Sequence, residues 1–490
     1  MDMQQQQHEA HPASLGQSLA DQAFSRAAGA PLIEGNGVRL LLDATENYPA
    51  WLEAIASARH HVYFENFIIC DDDAGGMFAE ALIRKAREGA RVRLIYDWLG
   101  CFGKSSRAYW ARLRAGGVAV RCYNPPRLDA PFAWLSRDHR KMLAVDGQVG
   151  FITGLCVGDK WPGNPTKNIP PWRDTGVEIR GPAVAAIERA FTDVWAMTGD
   201  SIPEDELSDE APAPAGDVSL RIVATVPGVA GVFRLDQLVA SLATERLWLT
   251  DPYYAGTVAY AHALRAADED GVDVRLLMPG ASDLRLLKPL SRAGYRALLQ
   301  SGVRVFEWNG PMLHAKTAVA DGRWARVGST NLNLSSWIGN CELDAVIEDE
   351  AFARRMEAMF LEDLENATEI VLDEKRRVRA PGRQPHARTP RRSVGSAGRA
   401  AAGALRIGNA VGAAFTRQRV LEPVEARTLI TAGLLLLALA ALFAFFPRLL
   451  VYPLVVIMVW ISLTLLWTGR GLYRRKTPAK DETAAPEPPA

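Results

Sequence analysis

A histidine, a lysine and an aspartate recur at one spacing in two places: HRKMLAVD at His139–Asp146 and HAKTAVAD at His314–Asp321, each residue displaced by 175 positions. A self-match of this kind means that the chain is built from two copies of one unit, which restricts the available folds more than any local preference does. Upstream, GARVRL from Gly89 matches GVDVRL from Gly271. GGVAVRCYN ending at Asn124 matches SGVRVFEWN ending at Asn309, now 185 positions apart. The ten-residue difference is an insertion within PPRLDAPFAWLSRD, just ahead of the first histidine motif.

The repeat spans about residues 33–372, and each copy alternates helical with strand patterns. Phe78, Leu82, Ile83 and Ala86 share one helical face, Gly89 ends that helix, and VRLIYD continues as a short apolar strand. In the second copy, a helix around Ala261–Ala267 leads into VRLLM. Such alternation implies α/β layers, a sheet covered by helices in each half. The expected boundaries are a loose tail at 1–32, a first domain at 33–206, an acidic and Pro/Ala-rich linker at 207–217, and a second domain at 218–372.

Beyond the repeat, Thr428–Phe446 and Leu449–Trp467 are two 19-residue runs without a charge, separated by Pro447 and Arg448. As helices each spans about 28 Å, close to the hydrocarbon thickness of a bilayer, so residues 428–468 are expected to form a transmembrane helical hairpin. From Lys375 to Arg419 there are twelve Lys or Arg and no acid, and Arg470, Arg474, Arg475 and Lys476 follow the second run. Positive flanks on both sides place both ends, and hence the repeat, in the cytoplasm. The stretch 373–427 is also rich in Pro, Gly, Ala and Ser, and reads as a basic linker able to lie against anionic headgroups. Residues 469–490 form a cytoplasmic tail. The N-terminus lacks the basic and apolar pattern of a secretory signal.

On a strand, positions i and i+2 face the same way, so His139 points with Lys141 and His314 with Lys316. If the halves pack about a pseudo-twofold axis, one pocket receives two imidazoles and two ammonium groups, which suits an anionic phosphodiester. The lysines would hold the nonbridging oxygens, one neutral histidine would attack phosphorus, and the other would protonate the leaving alcohol. Neither a metal nor a cofactor is required. The five cysteines, Cys70, Cys101, Cys122, Cys156 and Cys341, contain no CxxC pair and suggest neither a zinc site nor disulfides.

The paired HxKxxxxD motifs, GSTN at Gly328–Asn331, PWRDTGVEIRGPAV from Pro171, NFIICDDDAGGMFAEALIRKA and LLMPGASD together resemble the phospholipase D superfamily, and within it the bacterial cardiolipin synthases. The resemblance covers about 340 residues. It implies two fused, pseudo-twofold-related α-β-α domains with one shared active site, a covalent phosphohistidine, and another lipid's hydroxyl as acceptor. His139, Lys141, Asp146, His314, Lys316 and Asp321 are the catalytic set it implies. Ser329 and Asn331 correspond to phosphate-binding positions, Glu342 to an acid that orients a histidine, and Asp174 to the acid serving the other half. The first half departs from the pattern: Cys156 stands where the family has Asn, and Gly154 occupies the position of Ser329. A weak thiol donor replaces an amide there, so the first half is expected to grip phosphate less well. This leaves the roles of the two histidines open, with family analogy favouring His139 as nucleophile and His314 as general acid.

The implied activity is that of a membrane-anchored phosphatidyltransferase at the bacterial inner membrane, its catalytic part facing the cytoplasm. One phosphatidylglycerol gives its phosphatidyl group to histidine, glycerol leaves, and a second phosphatidylglycerol attacks to form cardiolipin. Phosphatidylethanolamine is a second candidate substrate. Three alternatives stand beside it: hydrolysis of phospholipids to phosphatidic acid, a nuclease, and a noncatalytic membrane scaffold. A nuclease fits poorly with the hairpin and with 56 basic residues against 56 acidic ones, because backbone binding favours a basic surface, and no nucleic-acid partner is expected. Cys156 is the only feature pointing to a scaffold. GKS at Gly103–Ser105 lacks the earlier glycine of a phosphate-binding loop, since Trp98 stands there, and NLS at Asn333–Ser335 lies on the cytoplasmic side where glycosylation does not occur.

Overall fold

The computed structural model describes residues 21–127, 135–206, 212–255, 257–281, 283, 287–372, 378–379 and scattered positions between 434 and 467. The fold below belongs to the compact unit of residues 1–125 and 134–404; the other unit gathers residues 126–133 and 405–490.

The first half carries β1 (Ile33–Leu42), β2 (His61–Asn66), β3 (Arg91–Asp97), β4 (Ala119–Tyr123), β5 (Lys141–Val145), β6 (Val149–Thr153) and β7 (Thr175–Arg180). The second carries β8 (Val218–Thr225), β9 (Arg246–Thr250), β10 (Asp273–Pro279), β11 (Arg304–Trp308), β12 (Thr317–Ala320), β13 (Trp324–Gly328) and β14 (Glu342–Glu348), followed by β15 (Ala367–Leu372) and β16 (Val378–Arg379). The first set runs β1-β7-β6-β5-β2-β3-β4 across the sheet, and the second repeats it as β8-β14-β13-β12-β9-β10-β11. β1 and β8 join the two antiparallel, with Ile33 opposite Leu220 and Asn36 opposite Val218. The strand order is therefore symmetric about this seam, as a duplicated unit requires, and β15 and β16 extend only the second half.

Helices fill three layers. In the first half α1 (Asp43–Ser57), α2 (Asp73–Arg87) and α3 (Arg107–Ala115) cover one sheet face, sharing a core with Phe64, Leu94, Leu143 and Phe151. α4 (Ala183–Met197) lies on the opposite face. In the second half α5 (Gly231–Leu242), α6 (Val258–Glu269) and α7 (Leu287–Ser301) cover the outer face, and α8 (Glu350–Glu365) the inner one. Phe191 and Trp195 of α4 and Met356 and Phe360 of α8 enter one apolar core with Met142, Ile152, Leu313 and Leu343, so both halves bury their inner faces together. With helices on both sides, β5 and β6 are buried at every position, which explains their unbroken apolar runs.

The local signals act as the sequence implies. Asp72 caps α2 by accepting from Gly75 N–H, Phe78, Leu82 and Ile83 are buried, and Gly89, at φ 102°, turns the chain into β3. Along β5, Leu143 and Val145 point to the outer core and Met142 and Ala144 to the shared one. Lys141 and His139 follow the outer-facing parity, and Arg140 the inner.

Some boundaries differ from the sequence reading. Residues 21–28, assigned to the loose tail, are helical, and Phe24, Ala28 and Ala30 pack into the second half's outer core. Of the linker, 207–211 lie outside the described residues, while Ala215 N–H bonds Gly35 O at 2.8 Å. Val378–Arg379, inside the expected basic linker, pair with β15. Among the described residues no helix is long and apolar enough to cross a membrane, and most of the two apolar runs lies outside them.

Candidate active site

His139 and His314 sit just ahead of β5 and β12, and each backbone is tied to the other half. His139 N–H donates to Cys341 O at 2.9 Å, and His314 N–H to Arg173 O at 2.7 Å. Asp138 pairs in parallel with Cys341, and Arg173 with Leu313. Cys341 and Arg173 each immediately precede an acid, so docking brings that acid onto the opposite ring. His139 Nδ1 lies 2.9 and 3.0 Å from the Glu342 carboxylate oxygens, and His314 Nδ1 lies 2.7 Å from Asp174 Oδ2. The acids are exchanged between halves, a pairing that the sequence reading left open for Glu342.

These pairs set the chemistry of the rings. Burial alone would raise the Glu342 carboxyl, but the His139 ring, the Lys141 charge and the Ser329 hydrogen bond hold it below its ordinary value. Asp174 is likewise held low against burial, by His314, Lys316 and the Thr175 N–H. An ionised carboxylate can only accept, so Nδ1 carries the proton in both rings and Nε2 keeps its lone pair. Burial pushes His139 down to about 4, with Lys141 and Lys316 adding to the effect and Glu342 opposing it. His314 falls to about 3 through burial and Lys316, with Lys141 contributing from the other half. Lys316 itself drops to about 8, mainly through burial. The charge of each motif lysine thus acts on both rings.

The lysines differ in detail. Both donate to the carbonyl of the histidine two residues back. Lys316 Nζ also lies 3.1 Å from each ring nitrogen of His314, whereas Lys141 lies over the Phe67 ring at 5.2 Å. Phe67 packs edge-on to His139 at 4.8 Å, and Trp161, Trp172 and Tyr253 surround His314 at 5.6 to 6.0 Å.

Ser329 Oγ donates to Glu342 Oε2 at 2.6 Å and accepts from Leu343 N–H, so it orients the acid that serves His139. Asn340 adds a second donor to Glu342 at 3.1 Å. In the first half the counterpart of Ser329 is Gly154, and a Cβ there would stand 2.1 Å from Asp174 Oδ1. Trp161 Nε1 supplies the donor instead, 3.2 Å from Asp174 Oδ2. Sequence reasoning missed Trp161 and Asn340, and for Trp161 Gly154 was the available signal, since a residue without a hydroxyl implies a donor from elsewhere. Asn331 is buried, with its amide nitrogen 3.4 Å from Ser336 Oγ and its oxygen without a partner. Its counterpart Cys156 is buried as well.

The motif aspartates do not join the pocket. Asp146 accepts from the N–H groups of Arg59, His60 and His61, and Asp321 from those of Thr244, Glu245 and Arg246. Both have positive φ, 53° and 50°, in the turns that close the β5–β6 and β12–β13 hairpins. Five residues of β5 at about 3.3 Å each separate Asp146 from the end that carries His139. The expected catalytic role is corrected to a structural one: these carboxylates hold the entry to β2 and β9. Among the described residues no group of three or more His, Cys, Asp or Glu could hold a metal ion.

The family model described as cardiolipin synthase, PLD-like domain, matches residues 51–157 and 239–364, one stretch in each half. The chain is 34% identical over 359 residues to cardiolipin synthase A of Pseudomonas fluorescens, covering 71% of this chain and 73% of that protein. It is 31% identical over 347 residues to a cardiolipin synthase of Alkalihalophilus pseudofirmus, covering 69% and 68%. Its fold is similar to the crystal structure of a phosphatidylserine synthase from Haemophilus influenzae, with a TM-score of 0.58 at 14% identity over 71% of this chain and 91% of that one.

Proposed function

The chain belongs to the cardiolipin synthase family with PLD-like domains and is a phosphatidyltransferase of that type, and on this premise we propose how its paired site works. His139 Nε2 attacks the phosphorus of a phosphatidylglycerol, the bond to the glycerol oxygen breaks, and His314 gives that oxygen its proton. The phosphatidyl group then rests on His139. A second phosphatidylglycerol hydroxyl passes its proton to His314 and attacks phosphorus, which forms cardiolipin and frees His139. Lys141 and Lys316 hold the nonbridging oxygens and stabilise the charge of the transition state.

The crossed pairing of His139 with Glu342 and His314 with Asp174 carries this reading, because it fixes the same tautomer in both rings and ties each ring to the opposite half. Family analogy favours His139 as nucleophile and His314 as general acid, and Lys316 Nζ lies 3.1 Å from both nitrogens of the His314 ring. Before substrate binds, both rings are neutral near pH 7. A phosphodiester anion offsets the two ammonium charges and raises the imidazoles, so protonation of His314 accompanies substrate binding.

Residues 428–446 and 449–467 anchor the enzyme as a membrane hairpin, with the basic flanks and the catalytic halves on the cytoplasmic side of the inner membrane. In support, the described positions Leu434, Phe445 and Trp467 are helical and expose their apolar side chains. Both substrates are confined to the bilayer, so attachment raises the encounter frequency. Lipid extracts from cells overexpressing the wild type or His314→Ala test the proposal: cardiolipin should rise only with the wild type. Equal cardiolipin in both refutes it, and phosphatidic acid in its place identifies water as the acceptor.

A further inference from the structure

The two halves differ at the residue that faces each motif lysine. In the β2–β5 ladder Asn66 stands opposite Lys141. In the β9–β12 ladder Thr250 stands opposite Thr317, so Asp251 faces Lys316, and the Asp251 charge acts on that lysine. Both residues start the same turn: Asn66 Oδ1 accepts from Ile68 N–H at 3.3 Å, and Asp251 Oδ1 from Tyr253 N–H at 2.8 Å. The second side-chain atom separates them. Asp251 Oδ2 accepts from Leu332 N–H at 2.8 Å. The repeat counterpart of Leu332 is Val157, whose N–H goes to Ile68 O at 3.0 Å. The corresponding atom of Asn66 is Nδ2, a donor; the residue is 0% exposed and this nitrogen has no hydrogen-bond partner. A fully buried donor without a partner is rare in a folded protein.

Its location is set by the same comparison. Leu332 follows Asn331, and Val157 follows Cys156, the position at which the first half has lost its amide. Asn66, opposite Lys141, shares that lysine's face of the sheet, and Val157, next to Cys156, bonds to Ile68, two residues beyond Asn66. The charges of Lys141 and Lys316 both act on Cys156, which puts this corner at the pocket wall. We propose that Asn66 Nδ2 donates a hydrogen bond to a nonbridging phosphate oxygen in the first half of the site, standing in for the amide missing at Cys156. The inference rests on the phosphodiester reading above and adds to it a binding residue outside the motifs.

Two measurements on the full chain in detergent micelles test it: affinity for inorganic phosphate from phosphorus NMR line widths, and KM and kcat for cardiolipin formation. Asn66→Ala should weaken phosphate binding about tenfold, the worth of one hydrogen bond to a charged group. Asn66→Asp, which keeps the side-chain shape and so guards against simple misfolding, should weaken it further by repelling the anion. Adding Cys156→Asn to Asn66→Ala should recover most of the loss, which a purely structural role for Asn66 does not predict. Wild-type affinity in both single variants, or a loss that Cys156→Asn leaves unchanged, overturns the proposal. Phosphate affinity is read without turnover, so a wild type that binds phosphate yet forms no cardiolipin refutes the transferase reading while the Asn66 comparison still stands.

Discussion

His139 hydrogen-bonds through Nδ1 to the carboxylate of Glu342, 203 residues further along the chain and in the other half of the repeat. The reciprocal bond from His314 to Asp174 spans 140 residues. Neither half can orient its own ring, so a half-molecule holds a histidine without its acid, and activity requires both halves to dock.

Glu342→Gln and Asp174→Asn keep the shape of each acid but remove its charge, leaving the tautomer of the facing ring unspecified. Each should lower kcat for cardiolipin formation by about 10²-fold or more while the fold stays intact. Turnover on phosphatidylglycerol vesicles, with circular dichroism as the control, measures this, and unchanged kcat in both variants removes the orienting role.

Lys316, with its ammonium brought down to about 8, is charged below that pH and neutral above it. A neutral amine cannot stabilise the phosphoryl oxygens, so kcat/KM should fall above pH about 8 with the slope of a single proton. A profile flat to pH 10 contradicts this assignment.

The two rings bind protons more weakly in the folded chain, at about 4 and 3, than in the unfolded one, at about 6.5. Their contribution is therefore fully present above pH about 6.5 and is lost as pH falls below it. Between pH 7 and 5 the wild type should lose about 2 kcal/mol per ring more than a His139→Gln, His314→Gln double variant. Urea denaturation of both proteins at the two pH values measures the difference.

Gly154 leaves space that Asp174 fills, and a methyl group there meets Oδ1 at 2.1 Å. Gly154→Ala should cost about 1 to 3 kcal/mol of stability and depress kcat by displacing the acid of His314. A variant with wild-type melting temperature and turnover shows that the carboxylate can move aside freely.

Asp146→Ala and Asp321→Ala each leave three backbone N–H groups without their acceptor. The expected loss is about 1 to 2 kcal/mol of stability, because water can replace the acceptor at the exposed N–H groups, with KM near the wild-type value in the protein that remains folded. A variant of normal stability that has lost turnover restores these aspartates to the chemistry.

Much of this was legible beforehand. The duplicated His-x-Lys spacing carried the α/β class and the number of halves, and it put each histidine on the same strand face as its lysine, because period-2 projection along a strand is a local property. The motif aspartates misled for the same reason: a fixed spacing does not distinguish a residue that binds from one that holds a turn. The departure of the first half from the pattern could be read from Cys156, but Trp161 and Asn66 could not, since their roles follow from what the opposing strand or loop leaves unmet.

The amino-acid order alone thus determined that there are two copies of one unit and that each carries a histidine and a lysine on one strand face, since both follow from short-range periodicity and from residue chemistry. Only the tertiary structure decided which acid meets which ring and which buried donor is left free. Those pairings arise where Asp138 meets Cys341 and Arg173 meets Leu313, contacts made when the two halves bury their inner faces in one core, and no local pattern encodes them.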